Sequence, residues 1–268
     1  MAAKSHKAIH TFLFENLSHQ KGILHFISTR NGGVSKPPFD TLNLSFNVSD
    51  DPKHVILNRK LLADAVGFKV ESLTAAKQVH GSKVAIVPKN MRGKGAMDHI
   101  SALDEVDAMV TNTPGILLMI QAADCVPLLF YDPKQKVIAA AHAGWRGTTL
   151  NMAHNTVSTM VKRYKSDPRH IYVGIGPSIG PCCYEVGHEV VREAANNLKD
   201  ASGLIKARDG KNYFDMWEAN KRQLTALGIP ESNIEVSKIC THCESDTFFS
   251  SRAGAGVTGR FGAGIMLA

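Results

Sequence analysis

Residues 115–148 read GILLMIQAADCVPLLFYDPKQKVIAAAHAGWRGT. Within this stretch two apolar runs, Val126 to Tyr131 and Lys136 to Ala141, flank the turn-forming Asp132-Pro133-Lys134-Gln135. Strand-type runs on either side of such a break form an antiparallel hairpin. With the turn centred between Pro133 and Lys134, Tyr131 faces Lys136 and Cys125 faces His142. Directly opposed residues on one sheet face have Cβ atoms about 5 Å apart. A thiolate and an imidazole at that distance share a tetrahedral metal or pair as nucleophile and base, and a slip of one residue removes the match. Taken singly, a Cys opening an apolar strand is most often a small buried hydrophobe, and a His closing one a hydrogen-bonded core residue. Facing each other beside Asp124 and the Gly144-Trp145-Arg146-Gly147 loop, they point instead to chemistry. Thr148, read as a helix N-cap, brings backbone donors and a helix dipole near the pair.

At 268 residues, with 44% hydrophobic and 21% charged residues, the composition is that of an ordinary globular protein. No apolar run approaches the roughly 20 residues that a membrane span requires. The opening MAAKSHKAIH has charge but no apolar core of signal-peptide length, so the expected setting is cytoplasmic. Lys and Arg number 31 against 24 Asp and Glu, a net charge of +7 that favours anionic partners. The basic residues are dispersed, with no Lys/Arg block and no interleaved aromatics, which argues against nucleic acid and ranks a phosphate-requiring small substrate above it. A solvated surface is the simplest account of the surplus.

The five cysteines are an odd number and two of them, Cys182 and Cys183, are adjacent, against a disulfide framework and for reduced thiols. Cys240-Thr241-His242-Cys243 is a lone C-x-x-C. Neighbours on an extended chain point to opposite faces, so Cys182 and Cys183 are not expected to complete a four-thiolate site with it. Packing is the expected role of these four.

Working outward, Thr11 to Phe14 and Gly22 to Ser28 are strand-like, and an irregular stretch from Thr29 carries Asn43. Asp51-Pro52 is an N-cap followed by Pro at the first helical position, and the helix, with Arg59 inside it, stops at Gly67. Leu73 to Val79 and Lys83 to Val87 are expected strands, interrupted by His80-Gly81. A His before a strand-breaking Gly is displayed rather than buried, which makes His80 the natural third ligand. Residues 89–104 have no clean period and are expected to form a mobile loop. Asp107 to Thr111, His170 to Ile175 and Ile234 to Ile239 are strand-like. Helices are expected from Thr148 to about Tyr164, from His188 to Leu198, and after Asp215, whose Asp-x-x-Glu resembles a capping box closed by Gly228. Arg252 and Arg260 lie in a Gly-rich C-terminal segment suited to approaching an anion. Clustered strands without regular βαβ alternation give an α+β fold over residues 1–268, a single domain with mixed, largely antiparallel sheets flanked by helices.

His80, Cys125 and His142 make a His₂Cys set with a fourth position open, the pattern of catalytic rather than structural zinc. Ligand softness leaves copper as an alternative, although multicopper oxidases need several His-x-His pairs and this chain has none. Without a metal, Cys125 and His142 could serve a cysteine hydrolase or transferase.

Gln78-Val79-His80-Gly81, Ala123-Asp124-Cys125-Val126-Pro127, His142-Ala143-Gly144-Trp145-Arg146-Gly147-Thr148, the run from Gly176 to Tyr184 and Thr258-Gly259-Arg260 resemble the signature blocks of the YfiH or laccase-domain family. The likeness runs in order along nearly the whole chain. It implies a zinc enzyme acting on purine nucleosides and inorganic phosphate, formerly taken for a copper-dependent polyphenol oxidase. It further implies phosphorolysis of adenosine, inosine, guanosine and methylthioadenosine, together with deamination of adenosine. By the same resemblance the metal ligands are His80, Cys125 and His142, and Asn43, Arg59 and Arg260 are substrate-binding. After Phe248-Phe249-Ser250 the chain departs from the family's run of aromatic and paired Arg, which leaves Arg252 without an assigned role.

Overall fold

The computed structural model describes residues 2–6 and 9–268. Its central hairpin pairs Val126–Asp132 with Val137–Ala143, and every residue of both strands is buried. Period-two alternation divides these side chains between two cores. Val126, Leu128, Phe130, Val137, Ala139 and Ala141 face one way, and Leu129, Tyr131, Ile138 and Ala140 face the other. The register differs from the sequence expectation. Asp132 pairs with Val137 and Pro127 with His142, so the turn is centred one residue later. The Asp132 carboxylate explains the shift, because it accepts the N–H groups of Lys134 and Gln135 at 2.9 and 3.2 Å and so keeps four residues in the turn. Cys125 is therefore diagonal to His142 rather than opposite it. Moving a partner by two positions preserves its face, and the two side chains still share one.

Two six-stranded sheets carry the fold. The first runs, in spatial order, 2–6, 9–13, 23–28, 261–267, 117–122, 73–74. The second runs 234–236, 172–175, 126–132, 137–143, 108–111, 84–86. Among the described residues the parallel ladders are those of the edge strands 73–74, 84–86 and 234–236, which agrees with the mixed, largely antiparallel expectation. Between the sheets, Ile27, Leu118, Ile120, Phe261 and Ile265 meet Met109, Leu129, Tyr131 and Ile138. Outside the second sheet, Met152, Val157, Val190, Ala194 and Leu224 from three helices pack on the alternate side chains of the hairpin. Outside the first, Leu62 and Ala63 of helix Pro52–Val66 cover Phe26, Leu117 and Met119. The layers are helix, sheet, sheet, helix, and the inner core belongs to both sheets.

Local signals explain most boundaries. Asp51 caps helix Pro52–Val66 by accepting from Lys53 N–H, and Gly67 ends it at φ 92°, a left-handed conformation that costs glycine little. Asp215 caps Met216–Thr225 through Glu218 N–H. Thr148 is not a cap. The helix at Trp145–Thr149 starts one turn earlier at Gly144, and Asn151 at φ 59° separates it from Met152–Tyr164. Of the expected strand from Leu73 to Val79 only Leu73–Thr74 pairs as a strand, since further along the Gln78 amide takes over the partnering, bonding both the N–H and the carbonyl of Gln121. The 89–104 segment is held in place by bonds from Arg59 to the Gly95 and Ala96 carbonyls. Phe261–Leu267, whose glycines hide a strand signal, is central to the first sheet, and at Gly264 an added Cβ would meet Phe26 Cζ at 2.5 Å. A small sheet of 185–186, 205–208 and 211–214 was not expected from the sequence.

Candidate metal centre

His80, Cys125 and His142 meet at one open end of the inter-sheet layer, with ligand atoms within 4.8 Å of one another. His80 projects from a turn where its own φ is 61°, and Asp124 at φ 80° bends the chain just before Cys125. His142 is the penultimate residue of its strand, and its ring lies 4.9 Å from that of His80 at 76°. The diagonal register would leave the two residues about 7–8 Å apart on a regular ladder, their Cβ atoms somewhat closer. The bend at Asp124, ahead of the first strand residue, brings the sulfur in.

Asp107 organises all of this, and sequence reasoning overlooked it. Its fully buried carboxylate accepts the N–H groups of Val79, His80 and Gly81 at 3.2, 3.0 and 2.8 Å, and His142 Nδ1 lies 2.9 Å away. One side chain thus fixes the turn that displays His80 and sets the orientation of His142, whose Nδ1–H donates to the carboxylate and leaves Nε2 for Cys125 or a metal. Carboxylate support of a ligating histidine is a usual feature of metal sites. The signal that could have found it was an acid opening a buried strand, in Val106-Asp107-Ala108-Met109-Val110. Burial opposes ionisation of Asp107, but the bond to His142 and the N–H donors outweigh it and hold its pKa below the usual range. Burial likewise opposes charge on Cys125, yet the adjacent His142 and His80 bring its thiol down to about 6. His142, against burial, is lifted to about 9 by Cys125 and Asp107. The centre is poised to hold a thiolate.

Gly144 is the close approach that permits the cluster. A Cβ there would lie 2.8 Å from Cys125 Sγ and 3.2 Å from His80 Cδ2. Its φ of −68° suits any residue, so Gly144→Ala should leave the fold intact while displacing a ligand. We expect at least about a tenfold loss of metal affinity, the scale of a disturbed ligand geometry, measured by dialysis against a chelator. Gly187→Ala, where nothing lies within 4 Å, should behave as the parent, and equal metal retention by the two variants would refute the steric account.

A cleft of about 440 Å³ opens beside the three donors, lined among others by Gln78, Asp124, Tyr184, Arg252 and Arg260. Arg260 is brought to the site. Its Nη1 donates to the Thr258 and Gly259 carbonyls, and no carboxylate among the described residues pairs with it. Asn43 and Arg59, expected as substrate contacts, do not line this cleft. Asn43 is fully buried, bonding Ser45, Asp50 and the N–H of Arg260. Arg59, also buried, spends its guanidinium on the Leu44, Gly95 and Ala96 carbonyls. Asp124 is a clamp, accepting from Thr241 Oγ1 at 2.6 Å and from Arg252 N–H at 2.7 Å. Arg252 therefore lies on the cleft wall, with its guanidinium over Tyr184 and bonded to the Glu185 carbonyl. Burial first, then the Cys125 charge, pushes the Tyr184 phenol above its ordinary pKa.

Cys240 and Cys183 do pack on a core, as expected, but the expectation that Cys182 and Cys183 could not converge with the C-x-x-C pair is corrected. Cys182 and Cys183 occupy a tight turn rather than an extended segment, with Cys183 and Tyr184 N–H both donating to the Gly180 carbonyl. Their sulfurs gather with those of Cys240 and Cys243, all within 4.8 Å of one another. Among the described residues no multi-histidine cluster of the multicopper kind accompanies these two groups.

Comparison with known proteins agrees with this picture. Residues 24–268 match the family model described as multi-copper polyphenol oxidoreductase laccase. The chain is 42% identical over 241 residues to purine nucleoside phosphorylase YlmD of Geobacillus stearothermophilus, covering 89% of this chain and 88% of that one. It is 35% identical over 235 residues to adenosine deaminase RL5 from an unknown prokaryotic organism, covering 87% and 89%. The crystal structure of Bacillus licheniformis hypothetical protein YfiH superposes with a TM-score of 0.93 at 34% identity, over 99% of both chains.

Proposed function

The chain belongs to the laccase-domain family of YfiH and YlmD proteins, and on that premise we propose that it is a zinc-dependent purine nucleoside phosphorylase that also deaminates adenosine. The observation that carries the reading is the His80–Cys125–His142 set, supported by Asp107 and beside a cleft lined by the guanidinium groups of Arg252 and Arg260, neither of them ion-paired to a carboxylate among the described residues. Three protein donors beside an accessible position are the catalytic zinc pattern. A single imidazole–thiolate group, without the histidine clusters of a multicopper oxidase, favours zinc over copper redox chemistry. A zinc ion held by His80, Cys125 and His142 would supply Lewis acidity to the cleft.

The protein's own residues do the rest. Asp107 keeps His142 in one tautomer and His80 in place. Arg260 offers its guanidinium to phosphate through charge-assisted hydrogen bonds. Tyr184, held protonated, is a hydroxyl donor lining the same cleft. The cleft volume lies in the range of small-ligand sites, large enough for a purine nucleoside beside an anion. Adenosine, inosine, guanosine and methylthioadenosine are the proposed substrates. The five cysteines are all unpaired, as suits a cytoplasmic setting, and among the described residues no helix is long and apolar enough to cross a membrane.

The test is incubation with a nucleoside panel with and without phosphate, resolving free base and ribose 1-phosphate from the deaminated product. Arg260→Ala should lower phosphorolysis by about 2–3 kcal/mol, the scale of a charged hydrogen bond to a transition state, and deamination, which consumes only water, much less. Equal loss in both reactions would show that Arg260 does not serve phosphate. A second reading, a metal-independent cysteine hydrolase, is favoured by the lowered Cys125 thiol beside His142. Alkylation of Cys125 without loss of metal would support it, and one zinc at the centre, released when Cys125 is alkylated, would exclude it.

A further inference from the structure

Cys182, Cys183, Cys240 and Cys243 lie outside the cleft, and the proposed reaction does not use them. We propose that their four sulfurs bind one zinc ion as a closed structural site that braces the wall of the catalytic cleft. In a tetrahedral zinc–thiolate site with bonds of about 2.3 Å the sulfurs stand about 3.8 Å apart. Here Cys182 Sγ lies 3.8 Å and Cys183 Sγ 3.4 Å from Cys243 Sγ, and the whole set lies within 4.8 Å. Disulfide bonding requires about 2.05 Å, so these contacts are those of separate, unbonded sulfurs. Four protein thiolates with no open position are the structural pattern.

The backbone is shaped for such a site. The turn at Gly180 turns both adjacent sulfurs to one side, and Cys240–Cys243 forms a second turn, closed by Glu244 N–H on the Cys240 carbonyl. Gly180 N–H donates to Cys240 Sγ at 3.2 Å, the kind of bond that stabilises a thiolate. Each thiol would give its proton to solvent on binding.

The position gives the site its role. Ser178 pairs with Cys240, Thr241 N–H donates to the Ser178 carbonyl, and Thr241 Oγ1 reaches Asp124, the residue before Cys125. Tyr184 follows Cys183 directly onto the cleft wall. An ion at the four sulfurs ties these two loops together behind the catalytic centre.

Elemental analysis of the full chain, purified without chelator or added metal, should find two zinc ions per chain. Cys125→Ala should keep one, and Cys182→Ser/Cys243→Ser should keep the other, with a lowered melting temperature that Cys125→Ala does not share. In cobalt-substituted protein the intense multi-thiolate-to-cobalt absorption should persist in Cys125→Ala and fall in the double variant to the weaker band of the single Cys125 thiolate. Because Cys125→Ala removes the first centre alone, failure of the proposed activity and failure of this site are distinguishable. One zinc per parent chain, absent from Cys125→Ala, would overturn the proposal. So would a Cys125→Ala protein whose cobalt form lacks the thiolate band, a measurement that holds even if the double variant does not fold.

Discussion

Cys125→Ala should lose the metal of the His80–Cys125–His142 centre and all measurable phosphorolysis and deamination, with a melting temperature close to that of the parent. The thiolate is the one anionic donor of the three, and the other two are neutral imidazoles when they ligate. Removing it leaves a two-histidine site facing solvent, and mutations that merely disturb support of a ligand already cost 10–100-fold in affinity. The cost to the fold is small because Cys125 precedes the first residue of its strand and lines the cleft rather than a core. His142 loses its thiolate partner but keeps Asp107. The measurements are zinc per chain, turnover of adenosine and inosine, and a thermal melt. A folded Cys125→Ala protein that retains this zinc and full activity would falsify the assignment of the centre. A variant that unfolds would instead place Cys125 among the structural residues.

How much of this was legible in the sequence depends on the range of the interaction. Short-range signals read well: Asp51-Pro52 and Gly67 bound their helix as expected, because a cap needs only residues within one turn. The hairpin was legible except for its register, which the Asp132 carboxylate sets through two bonds to the turn. Cys125 and His142 were reached by an opposition that is not there, and share a site because a two-residue shift keeps their face. Asp107 was out of reach, since its partners lie 26 to 35 residues away. The four-cysteine cluster failed for a related reason. Adjacent residues diverge on a strand but not in a turn, and the composition of Gly176–Pro181 gave the turn without its geometry. Phe261–Leu267 was hidden by Gly262 and Gly264, which weaken the strand signal while making room for Met119 and Phe26.

Arg59→Ala should destabilise the protein by about 3–5 kcal/mol, the scale for removing a large buried side chain or the partner of buried polar groups. It should do so without altering the phosphate dependence of what remains folded. The family resemblance implies Arg59, on a helix that follows the Asn43 loop, as a substrate contact. The structure turns it inward. Its Nε and Nη2 donate to the Leu44 carbonyl at 2.9 and 2.7 Å, and its Nη1 to Ala96 at 2.9 Å and to Gly95. The guanidinium also stacks 4.4 Å from the Phe46 ring. Burial brings its pKa down to about 9, with Asp98 acting in the opposite direction. Such an arginine is a latch between the irregular segment at Leu44, its own helix and the 94–97 loop. Its removal strands three buried carbonyls and leaves a cavity, and an unsatisfied buried acceptor costs about 1–3 kcal/mol. At about 2–4 °C per kcal/mol for a domain of comparable size, the melting temperature should fall by roughly 6–20 °C. Arg59→Lys should recover only part of the loss, because an ammonium cannot span the two sides that the planar fork joins. Assayed below its melting temperature, Arg59→Ala should keep the parental phosphate KM. A stable Arg59→Ala protein with a raised phosphate KM would return Arg59 to the substrate site.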